Sequence, residues 1–135
     1  MDKRWGLAAK VVLRDEHGRM LLLRRSNKCR SFAGYWEWPG GAVEAGEEYA
    51  VAAVREAREE TGLEVEVTGF AGTFYFEMAV AHVVAICLEA RVIGGELRIS
   101  DEHDDYAWVA PAELGQYRLV DAHGPAIYAY LQKRI

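Results

Sequence analysis

Glu56, Glu59 and Glu60 stand within one short stretch, Arg55-Glu56-Ala57-Arg58-Glu59-Glu60. On a helix of about 100° per residue, with Glu56 at zero, Glu60 falls near about +40° and Glu59 near about −60°, so the three carboxylates share one edge. Like charges on neighbouring turns repel, by about 0.2–0.5 kcal/mol for an i,i+4 pair such as Glu56/Glu60. Hard cations relieve that repulsion: magnesium and manganese prefer carboxylate and carbonyl oxygens and water, and Mg²⁺ is commonly held by one or two carboxylates together with substrate phosphates. The Pro39-Gly40-Gly41 loop, whose backbone can approach closely, would complete such a shell. A glutamate cluster taken alone equally fits a solvated helix face, and the choice rests on the wider pattern.

The element that must carry these groups runs from Glu47 to Thr61, free of Gly and Pro and rich in Ala and Glu, with Gly62 placed for a left-handed C-terminal cap. On the same wheel Ala50, Ala53, Val54 and Ala57 lie between about +60° and +160°, a stripe suited to packing on a sheet beside the acidic edge. Glu47 falls near about 180°, away from that edge, and is assigned structural support. Leu7 to Arg14, the turn Asp15-Glu16-His17-Gly18 and Met20 to Leu23 predict a β-hairpin. Residues 26–46, with Gly34, Pro39, Gly40, Gly41 and Gly46, predict a shaped loop with one short strand. Val65–Val67, Phe70–Phe76, Ala79–Ala90 and Tyr106–Val109 predict strands, with Gly94-Gly95 as a turn. Asp101 to Asp105 is a polar loop, Pro111 begins a helical turn, and Asp121 to Arg134 is a terminal helix.

The chain has 135 residues, enough for one domain over 1–135. With 16 basic against 21 acidic residues, nothing attracts a nucleic acid polymer or an anionic membrane, so any phosphate recognition is local. Cys29 and Cys87 form neither a disulfide framework nor a zinc motif, and no segment has the length of a membrane span or the form of a signal peptide. These features place the protein in the cytoplasm as free thiols would have it; the oligomeric state is set by nothing in the sequence.

Gly41, five residues, Glu47, seven residues, then Arg55-Glu56-Ala57-Arg58-Glu59-Glu60-Thr61-Gly62-Leu63 resembles the Nudix box, GX5EX7REUXEEXGU, at every fixed position. Leu21-Leu22-Leu23-Arg24-Arg25 and Gly34-Tyr35-Trp36-Glu37-Trp38-Pro39-Gly40-Gly41 are similar to segments of MutT-like members, as is Glu102-His103-Asp104-Asp105-Tyr106-Ala107-Trp108-Val109. The resemblance implies an α/β fold, the Nudix-type α/β/α sandwich around a mixed β-sheet. It implies that Glu56, Glu59 and Glu60 bind Mg²⁺, with Mn²⁺ as a substitute, that the Gly40 carbonyl adds a ligand, and that Arg55 with Glu47 braces loop and helix. Gly41 and Gly62 shape that site. The implied reaction is attack by water on phosphorus in a P–O–P bridge, with Glu59, Glu56 or Glu102 as base, in that order.

Arg24 and Arg25 point to opposite strand faces, and the resemblance favours Arg25 as the phosphate or nucleotide contact. Trp38 either stacks on a base or fills core. His17, His82, His103 and His123 lack metal-ligand spacing and receive no catalytic role. The small-molecule substrate is expected to be a nucleoside triphosphate. The alternatives are ADP-ribose, although the proline some ADP-ribose hydrolases carry is missing near Ala79, or coenzyme A, through a second match, Leu21 to Ser26 with Arg30, Gly34 and Trp38-Pro39-Gly40-Gly41, that departs at Leu23 and Trp38. A non-catalytic nucleotide-binding domain is the rival of another class, and such domains often lose box glutamates that this chain keeps.

Overall fold

A computed structural model describes residues 3–133. Strand β1 (Arg4–Leu13) lies at the centre of a four-stranded sheet ordered β4-β1-β6-β5, where β4 is Gly40–Ala42, β5 Leu63–Glu77 and β6 Ala81–Gly95. β1 and β6 run parallel while the other pairs are antiparallel, so the sheet is mixed. A second, antiparallel sheet has the order β3-β2-β7, from Trp36–Glu37, Met20–Arg25 and His103–Val109.

The expected hairpin between β1 and β2 is not formed. The turn is present, with Asp15 Oδ1 accepting from the backbone N–H groups of His17 and Arg19 at 2.9 and 2.8 Å and Asp15 N–H donating to Arg19 O at 3.0 Å, but among the described residues the strands bridge across it only at Arg14 and Met20. Beyond that bridge the strands diverge into different sheets. The physical cause is that Leu21, Leu22 and Leu23 are all fully buried: β2 has apolar demand on both faces and sits between two cores, which a two-stranded hairpin cannot satisfy.

Residues alternating along β1 supply those cores. Ala9, Val11 and Leu13 pack against helix α1 (Tyr49–Thr61) through Ala52, Ala53 and Ala57, and the methyl side chains let the helix axis approach closely. Val12, on the other face, joins Cys87, Ala71 and Trp38 under helix α2 (His123–Lys133), which contributes Ile127 and Tyr130. Helices therefore cover both faces of the mixed sheet, the expected α/β/α sandwich. Each of the buried leucines and valines contributes about 1.5–3 kcal/mol of transfer free energy.

The long loop supplies two short strands, not one, and they belong to different sheets. β3 pairs with β2 and β4 with β1, so Trp38-Pro39 carries the chain from one sheet to the other. The segments read as separate strands at Val65–Val67 and Phe70–Phe76 are one strand, β5, whose breaks at Thr68-Gly69 and Ala71-Gly72 are bulges. Helix α1 begins at Tyr49 with Glu48 as its N-cap, two residues later than expected, and Arg134 lies outside the described residues.

Candidate active site

Helix α1 ends as its sequence specifies. Gly62 adopts φ 76°, its N–H donates to the Arg58 carbonyl, and a Cβ there would lie 2.4 Å from the Glu96 carbonyl oxygen. The strand-like segment after β6 then binds the helix end, with Arg98 N–H donating to Thr61 O at 2.7 Å and Ser100 N–H to Glu60 O at 3.2 Å.

Two glycines press against two carboxylates. Glu60 Oε1 accepts the Gly40 N–H at 2.8 Å, while Glu56 lies so close to Gly41 that a Cβ there would meet Glu56 Oε2 at 2.7 Å. Gly40, at φ 141°, is equally constrained, since its Cβ would fall 2.0 Å from Ala9 O. Only this glycine pair lets the loop lie flat on the helix edge.

The three box glutamates differ in their surroundings. Ala52, at about −40° on the wheel, joins Ala53, Ala57 and Thr61 in the buried face, so Glu60 sits inside that face, not beside it. This corrects the adjacent-stripe reading. Burial pushes the Glu60 carboxyl up to about 7 against the opposing pull of Lys10 and the Gly40 N–H. Burial also raises Glu56, offset by Arg55. Glu59 has a side chain 57% exposed.

Arg55 organises the edge. Its Nε and Nη2 donate to Glu47 at 2.7 and 2.9 Å, Nη2 also to the Ala42 carbonyl at 3.1 Å, and Nη1 to Glu56 and Glu59 at 3.0 and 3.1 Å. The paired hydrogen bonds hold the Glu47 carboxyl down at about 2. Glu47 lies just outside the helix, so the wheel angle assigned to it does not apply; it is nonetheless the residue that ties the loop to Arg55.

Among the described residues no three His, Cys, Asp or Glu side chains are gathered closely enough to hold a metal ion. Arg55 Nη1 bridges Glu56 and Glu59 and supplies the positive charge that like-charged neighbours require. The donors themselves fit a hard cation, being oxygens of Glu56, Glu60 and the Gly40-Gly41 backbone, with Glu59 alongside.

A second cluster, which the sequence did not reveal, lies behind the glycines. Glu37, on β3, is 5% exposed; its Oε2 accepts from Arg25 Nη1 at 3.0 Å and His103 Nε2 at 2.9 Å, and its Oε1 faces Lys10 Nζ at 3.8 Å. Burial would raise its carboxyl, but Lys10, His103 and Arg25 outweigh burial and hold it far below the ordinary range. Among the described residues, His103 Nδ1, both ring nitrogens of His123 and Trp38 Nε1 are buried without hydrogen-bond partners. A lysine amid Ala8, Ala9, Val11 and Val12 is the signal in the sequence that points to Lys10; Glu37, His103 and His123 carry none, because their burial depends on which distant elements meet.

Trp38 is fully buried, edge-on to His123 and Tyr130, so it is a core residue and not a stacking platform for substrate; its place between the two sheets leaves no face open. Arg25 turns inward to Glu37, and its Nε donates to Ser31 O at 3.0 Å, while Arg24 turns out to Asp104. Glu102 is exposed, its backbone carbonyl accepting from Ser26 N–H; its carboxylate makes no hydrogen bond or ion pair among the described residues. It lies two positions beyond Ser100, which bonds the end of α1.

A family model described as NUDIX domain matches residues 4–130. The chain is 32% identical over 128 residues to the CTP pyrophosphohydrolase of Escherichia coli (strain K12), spanning 95% of this chain and 92% of that protein. It is 34% identical over 121 residues to a MutT-like protein of Streptomyces ambofaciens, spanning 84% and 73%. Its fold is similar to the crystal structure of the MutT protein from Methanosarcina mazei Go1, with TM-score 0.89 at 31% identity over 99% of this chain and 98% of that one.

Proposed function

Because the chain belongs to the NUDIX domain family, and is therefore a hydrolase of the pyrophosphate bond in nucleotide-linked compounds, we propose that its substrate is a nucleoside triphosphate and its metal Mg²⁺, with Mn²⁺ as a substitute. The observation that carries this reading is the pairing of Glu56 with Gly41 and Glu60 with Gly40 beside the Arg55–Glu47 brace. The length match to a relative named CTP pyrophosphohydrolase supports the triphosphate over ADP-ribose or coenzyme A.

Enzymes of this family generally use a divalent metal. In our assignment Glu56, Glu59, Glu60 and the Gly40 carbonyl hold it, and when bound it neutralises phosphate charge and lowers the pKa of the attacking water. The chain's own residues do the rest. Glu59, exposed and bonded to one guanidinium, takes the proton from water; Glu56 and Glu102 are the next candidates. Arg55 and Glu47 keep the loop on the helix. Arg25, held at Nε and Nη1, presents its remaining amino group to a phosphate oxygen.

No described helix is long and apolar enough to cross a membrane, and both cysteines are free; we place this single domain in the cytoplasm, acting on a small molecule and not on a nucleic acid polymer. The test is a screen of phosphate and pyrophosphate release from nucleoside triphosphates, ADP-ribose, dinucleoside polyphosphates and coenzyme A, with and without Mg²⁺. Pyrophosphate release from a triphosphate solely with Mg²⁺ is expected. Turnover confined to another compound would replace the substrate, and silence across the panel from folded protein would remove the enzyme in favour of a nucleotide-binding domain.

A further inference from the structure

Lys10 is a buried charge that neither the box nor the fold requires. It sits in the apolar middle of β1 with its side chain 7% exposed. Its ammonium carries three donors, yet among the described residues it makes one hydrogen bond, a long one of 3.4 Å to Gly40 O, and one ion pair, at 3.8 Å to Glu37. Glu37 already has Arg25 and His103 as closer partners, at 3.0 and 2.9 Å, so pairing with Glu37 alone does not account for Lys10.

What the ammonium does is hold Gly40. The Gly40 N–H is bonded to Glu60 on α1 and its carbonyl to Lys10 on β1, while the Ala9 carbonyl walls off the position of any side chain. Gly40, beside the reactive carboxylates, is thus gripped at both of its backbone polar atoms, from a helix and from a strand. We propose that Lys10 is a positioning residue for the hydrolysis: with Glu60 it clamps Gly40, fixing the direction of its carbonyl oxygen and the placement of Glu60 before substrate arrives. This rests on the assignment of Gly40 and Glu60 to the active site.

Lys10→Met keeps the stem and removes the clamp. Two readouts follow: steady-state kinetics with the triphosphate found above, and amide hydrogen exchange at Gly40 in the metal-free protein. The expected result is a folded protein with a lowered thermal midpoint, since Glu37 loses one of its cations, kcat lower by about tenfold or more from misplacement alone, KM changed far less, and Gly40 exchange faster by about tenfold or more through local opening. If the methionine variant does not fold, Lys10→Leu, which likewise lacks any side-chain N–H donor, carries the same comparison. Either kcat or Gly40 exchange remaining at its native value overturns the clamp. An inactive native protein would instead sink the hydrolase reading, and the metal-free exchange rate would then decide the clamp by itself.

Discussion

Glu59 differs from its two neighbours in what surrounds it. Glu60 is buried and bonded to a backbone N–H, and Glu56 lies against Gly41, whereas Glu59 faces solvent with Arg55 Nη1 as its partner at 3.1 Å. Removing its charge therefore disturbs no packing. Glu59→Gln is expected to lower kcat by about 10²–10⁴-fold, the usual contribution of a proton-transfer group, while unfolding free energy stays within about 0.5 kcal/mol. Pyrophosphate release and urea titration of the same preparation check both halves; native-like turnover would remove Glu59 from the chemistry. Residue identity made this glutamate visible in the sequence, because a box position is a local pattern. Its different exposure from Glu60, one position along, was not visible, since it depends on where the sheet lies relative to the helix.

At the scale of elements, the junction of β4 with α1 is where glycine is indispensable, and the two glycines are indispensable for different reasons. A methyl at Gly40 meets the backbone of β1 at 2.0 Å and the residue holds φ 141°, so neither atom can yield. A methyl at Gly41 meets the far end of the Glu56 side chain at 2.7 Å, which can swing away. Gly40→Ala is thus expected to destabilise the protein by several kcal/mol, at least the roughly 1–3 kcal/mol of backbone strain alone. Gly41→Ala should change stability by about 1 kcal/mol or less yet reduce kcat by about tenfold or more by displacing a carboxylate. Denaturant midpoints and kcat measured side by side separate the two; equal stability losses would refute the distinction. The helix itself, its alanine face and its Gly62 cap were legible from local composition. The path of β2 was not, because a turn sequence fixes the reversal of the chain but not whether its flanking strands stay paired.

Across the whole molecule, Lys10 from the mixed sheet meets Glu37 of the antiparallel sheet, which also binds Arg25 and His103, with Glu60 from α1 and His123 from α2 nearby. Burial, reinforced by Lys10 and Arg25 and opposed by Glu37, lowers the His123 pKa to about 3 from an ordinary 6.5. The folded state thus binds its proton more weakly than the unfolded chain. The stability from neutral His123 is fully present above pH 6.5 and is lost as pH falls toward 3, approaching about 1.4 kcal/mol per pH unit for one proton. Glu60 acts in the opposite sense: raised to about 7, its contribution is complete below its ordinary 4.5 and is lost as pH rises through 7. Comparing native protein with His123→Gln isolates the histidine. Between pH 6.5 and 5 the native urea midpoint should fall more steeply than that of the variant, and parallel curves would mean that His123 is protonated in the folded state.

The sequence by itself determined the acidic helix, its cap, the glycine loop and the family, because each is written in residues a few positions apart whose spacing carries its own geometry. Tertiary structure alone decided that β1 and β2 part company, that Trp38 is core, that Arg25 answers to Glu37, and that Lys10 and Glu60 grip one glycine from opposite sides. Those facts depend on which surfaces of distant segments meet. A buried ion pair between Lys10 and Glu37, 27 positions apart, leaves no period or motif in the chain; burial by other elements is what turns two ordinary surface residue types into a single charged core.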